Sequence, residues 1–268
     1  MEVKLWENEI PYATEGADTP NLMHLFLIPT DKPLPCVMVF AGGGYHCRAA
    51  HEAEPITNFF NSRGFHAVLV DYRVSPNHYP AGLADAQRAV KLIRHHAAEW
   101  NIDPERIVTC GFSAGGHLAA STILYPDQSL EEHTPDEVDG ENPMPNGAIL
   151  CYPVISVGPE FGHVGSGLNL LGKKKYETDR EAYDLQRKVT DSTPPVFLWH
   201  TSDDSCVNVK NSLVFCEALR DHQVPFELHV YPHGRHGMGL ADWTPDASGW
   251  TNLAADWILR NIKPEKES

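Results

Sequence analysis

The stretch Cys110-Gly111-Phe112-Ser113-Ala114-Gly115-Gly116-His117 decides how the rest of the chain is read. A short apolar run, Arg106-Ile107-Val108-Thr109-Cys110, enters it, and a helix-forming run, Leu118 to Leu124, leaves it. A strand therefore runs into Gly-Phe-Ser-Ala-Gly and a helix runs out, which is the context of a Gly-x-Ser-x-Gly nucleophile elbow. The turn is too tight for side chains near Gly111 and Gly115, so glycine relieves a steric cost there. Ser113 is expected at the tip, hydroxyl exposed, beside a helix N-terminus whose partial positive charge favours a developing anion.

A serine hydroxyl is a weak nucleophile until a base takes its proton, and the base works better when a carboxylate orients it. In an open parallel sheet such groups converge at the carboxyl ends of the strands. Just past the apolar run Val196–His200 comes Thr201-Ser202-Asp203-Asp204-Ser205-Cys206-Val207. Just past Phe226–Tyr231 comes Pro232-His233-Gly234-Arg235-His236-Gly237-Met238. The order serine, acid, histidine is that of this architecture. Asp204 is preferred as the acid because a helix start follows it, with Asp203 as a turn-former. His236 is preferred over His233 because Gly234 and Gly237 let a loop deliver an imidazole at close range. His200, at a strand end, reads as structural. A tetrahedral intermediate also needs donors for its oxyanion. Gly42-Gly43-Gly44 follows the apolar run Cys36–Phe40, and the N–H groups of Gly43, Gly44 and Ala114 are the expected oxyanion hole. No Gly-Lys-Ser/Thr follows the glycines, so a phosphate-binding P-loop fails.

The remaining chain supports an α/β sheet. Val3–Trp6 and Leu22–Ile28 read as strands, then Cys36–Phe40, His66–Val70, the elbow strand, Ala148–Tyr152, Val196–His200 and Phe226–Tyr231. Helices are expected over His51–Ser62, Ala84–Trp100, Val209–Asp221 and Gly249–Ile262, with a frayed tail at Lys263–Ser268. Eight strands, the last six alternating with helices, predict a mostly parallel sheet covered on both faces. Residues 125–146 read as a polar surface excursion. Residues 153–195 form the longest stretch without a strand signal, glycine-rich at first and then helical near Asp179–Lys188. A single domain over 1–268 is expected, with a lid-like excursion within 153–190.

Composition bounds the function. The chain has 268 residues, 42% hydrophobic, and its 36 acidic against 21 basic residues give a net charge of −15. An acidic surface repels phosphate backbones, so no nucleic-acid partner is expected. No run reaches the length of a membrane span. The first residues lack the basic start and apolar region of a signal peptide, so a cytoplasmic location is expected. Six cysteines show no paired spacing, and Cys36, Cys110 and Cys151 read as buried free thiols. His229, His233 and His236 have helical spacing, but Pro232 and Gly234 break any helix, so no metal site is expected.

Ala41-Gly42-Gly43-Gly44-Tyr45, Asp71-Tyr72-Arg73 and the elbow together resemble the α/β-hydrolase superfamily in its hormone-sensitive-lipase-like branch. With Trp199-His200-Thr201 and His236-Gly237 the set is similar to bacterial acetyl esterases, including acetylxylan esterases and the feruloyl-esterase-like group. The resemblance covers roughly residues 20–262. It implies a Ser113–Asp204–His236 triad, an oxyanion hole from Gly43, Gly44 and Ala114, bracing roles for Asp71 and Arg73, and cofactor-free hydrolysis of a small-molecule acyl ester. Three positions depart from the lipase-like pattern: Ala41 stands where a histidine is usual, Phe112 where an acid is frequent, and Asn208 where proline is frequent. These departures fit small-acyl esterases better. With no long N-terminal cap, residues 153–190 are expected to cover the pocket alone. Tyr45, His46, Tyr79, Tyr152 and Trp243 are candidate pocket residues, with core packing or a surface position an equal alternative for each. A peptidase of the same superfamily or a catalytically silent binding protein are the alternatives; the first lacks the gating domain expected of an oligopeptidase.

Overall fold

A computed structural model describes residues 1–17 and 19–263. The expected frayed tail therefore lies, past residue 263, outside the described residues. The strands are β1 (Glu2–Lys4), β2 (Leu22–Phe26), β3 (Leu34–Phe40), β4 (His66–Val70), β5 (Ile102–Phe112), β6 (Gly147–Cys151), β7 (Val196–Thr201) and β8 (Phe226–Tyr231). The helices are α1 (Glu54–Ser62), α2 (Ala81–His95), α3 (Ala97–Trp100), α4 (Ala114–Thr122), α5 (Val164–Asp179), α6 (Lys210–Asp221) and α7 (Trp250–Asn261). All eight strands join one sheet in the order β1-β2-β4-β3-β5-β6-β7-β8. The β1–β2 and β2–β4 pairs are antiparallel; from β4 onward all pairs are parallel.

The strands are apolar on both sides because both sides are covered. Val37 and Val39 of β3 face the same core as Ile56 and Phe60 of α1 and Trp250, Trp257 and Ile258 of α7. Met38 and Phe40 face the other core, with Ala86 and Val90 of α2, Leu118 of α4 and Phe215 and Leu219 of α6. Each such side chain, fully buried, contributes about 1.5–3 kcal/mol.

Two segments differ from the sequence expectation. The helix of the 153–190 excursion is α5, which begins at Val164; the charged run after Asp179 forms only short 3₁₀ turns. Gly165 and Gly167 lower helix propensity, but Leu170 and Leu171 dock in the core and hold the helix. It breaks at Gly172, whose φ of 72° is non-helical. The expected Ala84–Trp100 helix divides at His96 into α2 and α3.

Polar anchors fasten the N-terminal half. Arg73 and Asp85 are fully buried and paired, with Arg73 Nη2 2.7 Å and Nε 2.8 Å from the carboxylate. Asp85 also accepts from Trp6 Nε1 at 2.9 Å. Asp71 lies 3.4 Å from Arg48 and 3.0 Å from His24. Buried Arg88 pairs with Asp136 and Asp139, and Lys91 with Asp127, tying down the 125–146 excursion. Cys36, Cys110, Cys151 and Cys216 are buried free thiols, while Cys47 and Cys206 are exposed. Among the described residues no helix is long and apolar enough to cross a membrane.

Removing one member of a buried pair leaves the other charge without compensation. Arg73→Leu is expected to lower the unfolding free energy by about 3–5 kcal/mol, measured by urea titration. The Arg73→Met/Asp85→Leu double variant should recover a large part of that loss.

Candidate active site

The elbow is built by close approach. A Cβ on Gly111 would lie 2.0 Å from the Gly115 carbonyl oxygen, and one on Gly115 2.2 Å from that of Phe40. Helix α4 can cross the ends of β3 and β5 only because those two positions carry no side chain. The crossing forces Ser113, between strand and helix, to φ 53° and ψ −115°. A non-glycine residue at positive φ costs about 1–3 kcal/mol. Hydrogen bonds hold it there: Ser113 N donates to Cys151 O at 3.0 Å, and Ser113 O accepts from His117 N at 3.1 Å and Val154 N at 3.0 Å.

Ser113 Oγ lies 2.8 Å from His236 Nε2, and His236 Nδ1 lies 2.7 Å from Asp204 Oδ2. Strands β5, β7 and β8 thus bring the three residues together at their carboxyl ends. A carboxylate only accepts, so Nδ1 carries the imidazole proton and Nε2 presents its lone pair to the serine hydroxyl. Asp204 is held from several directions. Its Oδ1 accepts from the N–H groups of Cys206 at 2.9 Å and Val207 at 3.0 Å. His200 Nε2 lies 3.4 Å from Oδ2 and 2.9 Å from Val207 O, and its Nδ1 meets Ser212 Oγ at 2.8 Å. Burial by itself raises the Asp204 carboxyl, but hydrogen bonds from His200 and His236 outweigh it and hold it well below the usual carboxylate range. His200 is thus structural in the sense of bracing Asp204.

The neighbouring pair behaves differently. Asp203 accepts from Gly234 N at 2.8 Å and meets His233 Nδ1 at 2.9 Å. The His233 side chain is 79% exposed, against 18% for His236. The Asp203–His233 pair fastens the two loops to each other on the outside; the Asp204–His236 pair turns inward to Ser113. His229, His233 and His236 each meet a different carboxylate, on Glu227, Asp203 and Asp204. Among the described residues no group of three or more His, Cys, Asp or Glu is arranged to hold a metal ion.

Gly43 and Gly44 have φ of 128° and 64°, values that glycine adopts without strain. Their loop is closed by His46 N and Cys47 N donating to Gly43 O at 3.0 and 3.2 Å. Among the described residues neither the Gly43 nor the Gly44 N–H meets a protein acceptor. Ala114 opens α4, so its N–H has no intrahelical partner. Asn169 of α5 donates to Gly44 O at 2.8 Å, which anchors the excursion to the glycine loop.

A pocket of about 340 Å³ lies over Ser113, walled by Gly43, Gly44, His51, His163, Cys206 and His236 among others. Of the candidate pocket residues, none is in this wall. Tyr45 is buried and meets His117 Nδ1 at 2.9 Å. Tyr79 packs on Tyr125 and Tyr183. His46 lines a separate cleft beside Arg48 and Asp71. Trp243 is on the surface under Arg235. Tyr152 supports the site from beneath, edge-on to His236 with ring centroids 5.0 Å apart. Two wall residues escaped the sequence reading. His163 caps α5 by accepting from Ser166 N at 3.2 Å, which leaves Nε2 facing Cys206 Sγ at 3.9 Å. Burial first, and His236 second, lower the His163 imidazole. Glu52, just before α1, is buried against the glycine loop, with Oε2 2.8 Å from Gly42 N. Neither has a local motif; each is recognisable only by its partners.

The strand order and the site placed at the strand ends define an α/β hydrolase. Residues 23–219 match the BD-FAE family model, and the chain belongs to that family. It is 36% identical over 252 residues to endo-1,4-beta-xylanase B of Butyrivibrio fibrisolvens, covering 92% of this chain and 39% of that protein. It is 32% identical over 256 residues to the acetylxylan esterase of Xylanibacter ruminicola, covering 94% of this chain and 50% of that one. The chain thus spans half or less of the length of these curated relatives. The crystal structure of an acetyl ester-xyloside bifunctional hydrolase from Caldicellulosiruptor lactoaceticus matches with a TM-score of 0.91 and 44% identity, over 97% of this chain and 96% of that one.

Because only glycine escapes the positive-φ cost, Ser113→Gly should be more stable than Ser113→Ala by about 1 kcal/mol; thermal unfolding of the two variants measures it. Burial also lowers the His117 imidazole from 6.5 to about 4, opposed only by its bond to Tyr183 O. The folded chain keeps His117 neutral where the unfolded chain takes a proton, so stability falls as pH falls from about 6.5 to 4, by up to about 3 kcal/mol. Urea titrations across that range should show a steeper loss in the native protein than in His117→Gln.

Proposed function

We propose that this chain is a serine carboxylesterase that removes small acyl groups, acetyl above all, from hydroxyls of a sugar such as a xylo-oligosaccharide. It acts as one α/β-hydrolase domain, with the 153–190 excursion contributing His163 to the pocket wall, which the glycine loop, residues 49–52, Cys206 and the His236 loop otherwise form. The observation that carries the reading is the continuous relay from Asp204 through His236 to Ser113, at 2.7 and 2.8 Å, on the floor of an open pocket. The similarity to an acetylxylan esterase and to an acetyl ester-xyloside hydrolase supports the choice of acyl group and alcohol.

In this mechanism Ser113 Oγ attacks the ester carbonyl while its proton passes to His236 Nε2. Asp204 holds the imidazole in the required tautomer and stabilises the imidazolium. The carbonyl oxygen becomes an oxyanion, and the N–H groups of Gly43, Gly44 and Ala114 are the donors assigned to it. The tetrahedral intermediate collapses, His236 gives its proton to the leaving alcohol, and Ser113 is left acylated. Water then enters, His236 takes one of its protons, and a second collapse releases the carboxylic acid and regenerates the serine. Ester and water are the only reactants required.

Ser113→Ala is expected to lower p-nitrophenyl acetate hydrolysis on the order of a millionfold, with the variant still folded by circular dichroism. Asp204→Asn should lower it about ten-thousandfold, while Asp203→Asn stays close to wild type. A phosphonofluoridate should label Ser113 in the native protein. In a chain-length series of p-nitrophenyl esters, run beside acetylated xylo-oligosaccharides, acetyl esters should be turned over fastest. Undiminished hydrolysis by Ser113→Ala contradicts the mechanism; a preference for long acyl chains contradicts the assigned substrate class.

A further inference from the structure

We propose that Glu52 is a positioning residue whose buried carboxylate fastens the oxyanion loop to the loop carrying the catalytic histidine. The proposal rests on the catalytic reading of Ser113 and His236. Glu52 is 2% exposed, in the short turn that precedes α1. Its Oε2 accepts from Gly42 N at 2.8 Å. Its Oε1 accepts from the Tyr152 hydroxyl at 2.6 Å. That hydroxyl in turn accepts from Gly239 N at 2.9 Å. The adjacent His51 meets Gly237 O through Nε2 at 3.2 Å. Residues 51 and 52 thus grip Gly42 on one side and Gly237 to Gly239 on the other.

Both ends of this linkage adjoin reacting groups. Gly42 immediately precedes Gly43, whose N–H is assigned to the oxyanion hole. Glu52 holds the Gly42 N–H and Ala49 N donates to the Gly42 carbonyl at 2.9 Å, so the two soft dihedrals of Gly42 are fixed from both sides and with them the peptide that carries the Gly43 N–H. Gly237 immediately follows His236, and the Tyr152 ring stands edge-on against the His236 imidazole. Burial first, and Glu52 second, push the Tyr152 phenol well up, so it remains a donor to Glu52.

The expense of the arrangement argues for such a role. Among the described residues no Lys or Arg pairs with Glu52; the basic group that lies within 4 Å is His51 Nε2, 3.7 Å from Oε1 and on a half-exposed side chain. A buried carboxylate without a strong cationic partner is costly, and an apolar residue of similar volume serves packing better. Space at Gly42 is shared: a Cβ there would lie 2.5 Å from Oε2 and 2.7 Å from the Phe112 carbonyl oxygen, so glycine admits both the carboxylate and the elbow strand. Glycine at 42 makes room for Glu52, and Glu52 in return orients the peptide that leads into Gly43.

The test compares Glu52→Gln and Tyr152→Phe with the native chain on p-nitrophenyl acetate, and with phenylboronic acid as a tetrahedral inhibitor. Glu52→Gln keeps the shape but removes the charge and one of the two acceptors, so it can no longer accept from both Gly42 N and the Tyr152 hydroxyl. Its kcat should fall about 100-fold with KM little changed, and boronate affinity should weaken in parallel. Tyr152→Phe keeps the Gly42 bond and cuts the Gly239 bond; its kcat should fall about tenfold. A merely structural role lowers the melting temperature of the variants but leaves kcat and boronate affinity of the folded fraction unchanged, and that result overturns the proposal. If Glu52→Gln does not fold, Tyr152→Phe decides: a tenfold fall supports the linkage and a native kcat refutes it. Ser113→Ala is run alongside. A Ser113→Ala variant that still hydrolyses the ester removes the catalytic reading and this proposal together; an inactive Ser113→Ala beside a fully active Glu52→Gln removes this proposal alone.

Discussion

The contact between Gly111 and Gly115, over the ends of β5 and β3, governs the geometry of the whole site. Each position is closed to a Cβ by a carbonyl oxygen, 2.0 Å away at Gly111 and 2.2 Å away at Gly115. Bringing helix and strand that close leaves a single residue to turn the chain, and Ser113 takes the turn at a φ of 53°. Its side chain is thereby lifted out of the packed layers while its backbone remains bonded to Cys151, His117 and Val154. The strain is local and small against the burial of two apolar faces, and it gives Ser113 one orientation. Everything else in the site is placed relative to that orientation.

Two buried carboxylates then act in complementary ways. Asp204 accepts two backbone N–H groups and two histidines, and this solvation keeps its carboxyl low despite burial. It sets the tautomer of His236. Glu52 accepts one backbone N–H and one phenol and, among the described residues, pairs with no Lys or Arg. Its bonds run to the backbone of the glycine loop and, through Tyr152, to the loop beyond His236. In the roles proposed for them, Asp204 orients a reacting side chain and Glu52 orients the backbone around it.

The sheet was legible because a strand buried on both faces shows as an unbroken apolar run, and β3, β4 and β7 are such runs. Ser113 and the glycines at 43 and 44 were legible because each sits at a turn of positive φ, and His236 because it follows the last strand between two glycines. The choice between Asp203 and Asp204 was harder, since adjacent residues share their local signal. The structure separates them through the third dimension, one bonded to the exposed His233 and the other to His236. Helix α5 was not legible, because Gly165, Gly167 and Gly172 read as loop and only docking of Leu170 and Leu171 overrides that preference. Glu52 fell inside a predicted helix as an ordinary acidic position. Its meaning comes from Tyr152, 100 residues away. For Tyr152 the sequence left pocket wall and core open; it lies in the core under the histidine, where an aromatic ring fills space and its hydroxyl carries a bond.

The central claim is covalent: the acyl group rests on Ser113 between two halves of the reaction. Rapid quenching of the native chain with p-nitrophenyl acetate, followed by intact and peptide mass spectrometry, tests it most directly. The account predicts a transient gain of one acetyl group, located on the peptide containing Ser113 and absent from Ser113→Ala. Steady hydrolysis with no acetyl adduct at any quench time, or an adduct on another residue, contradicts it.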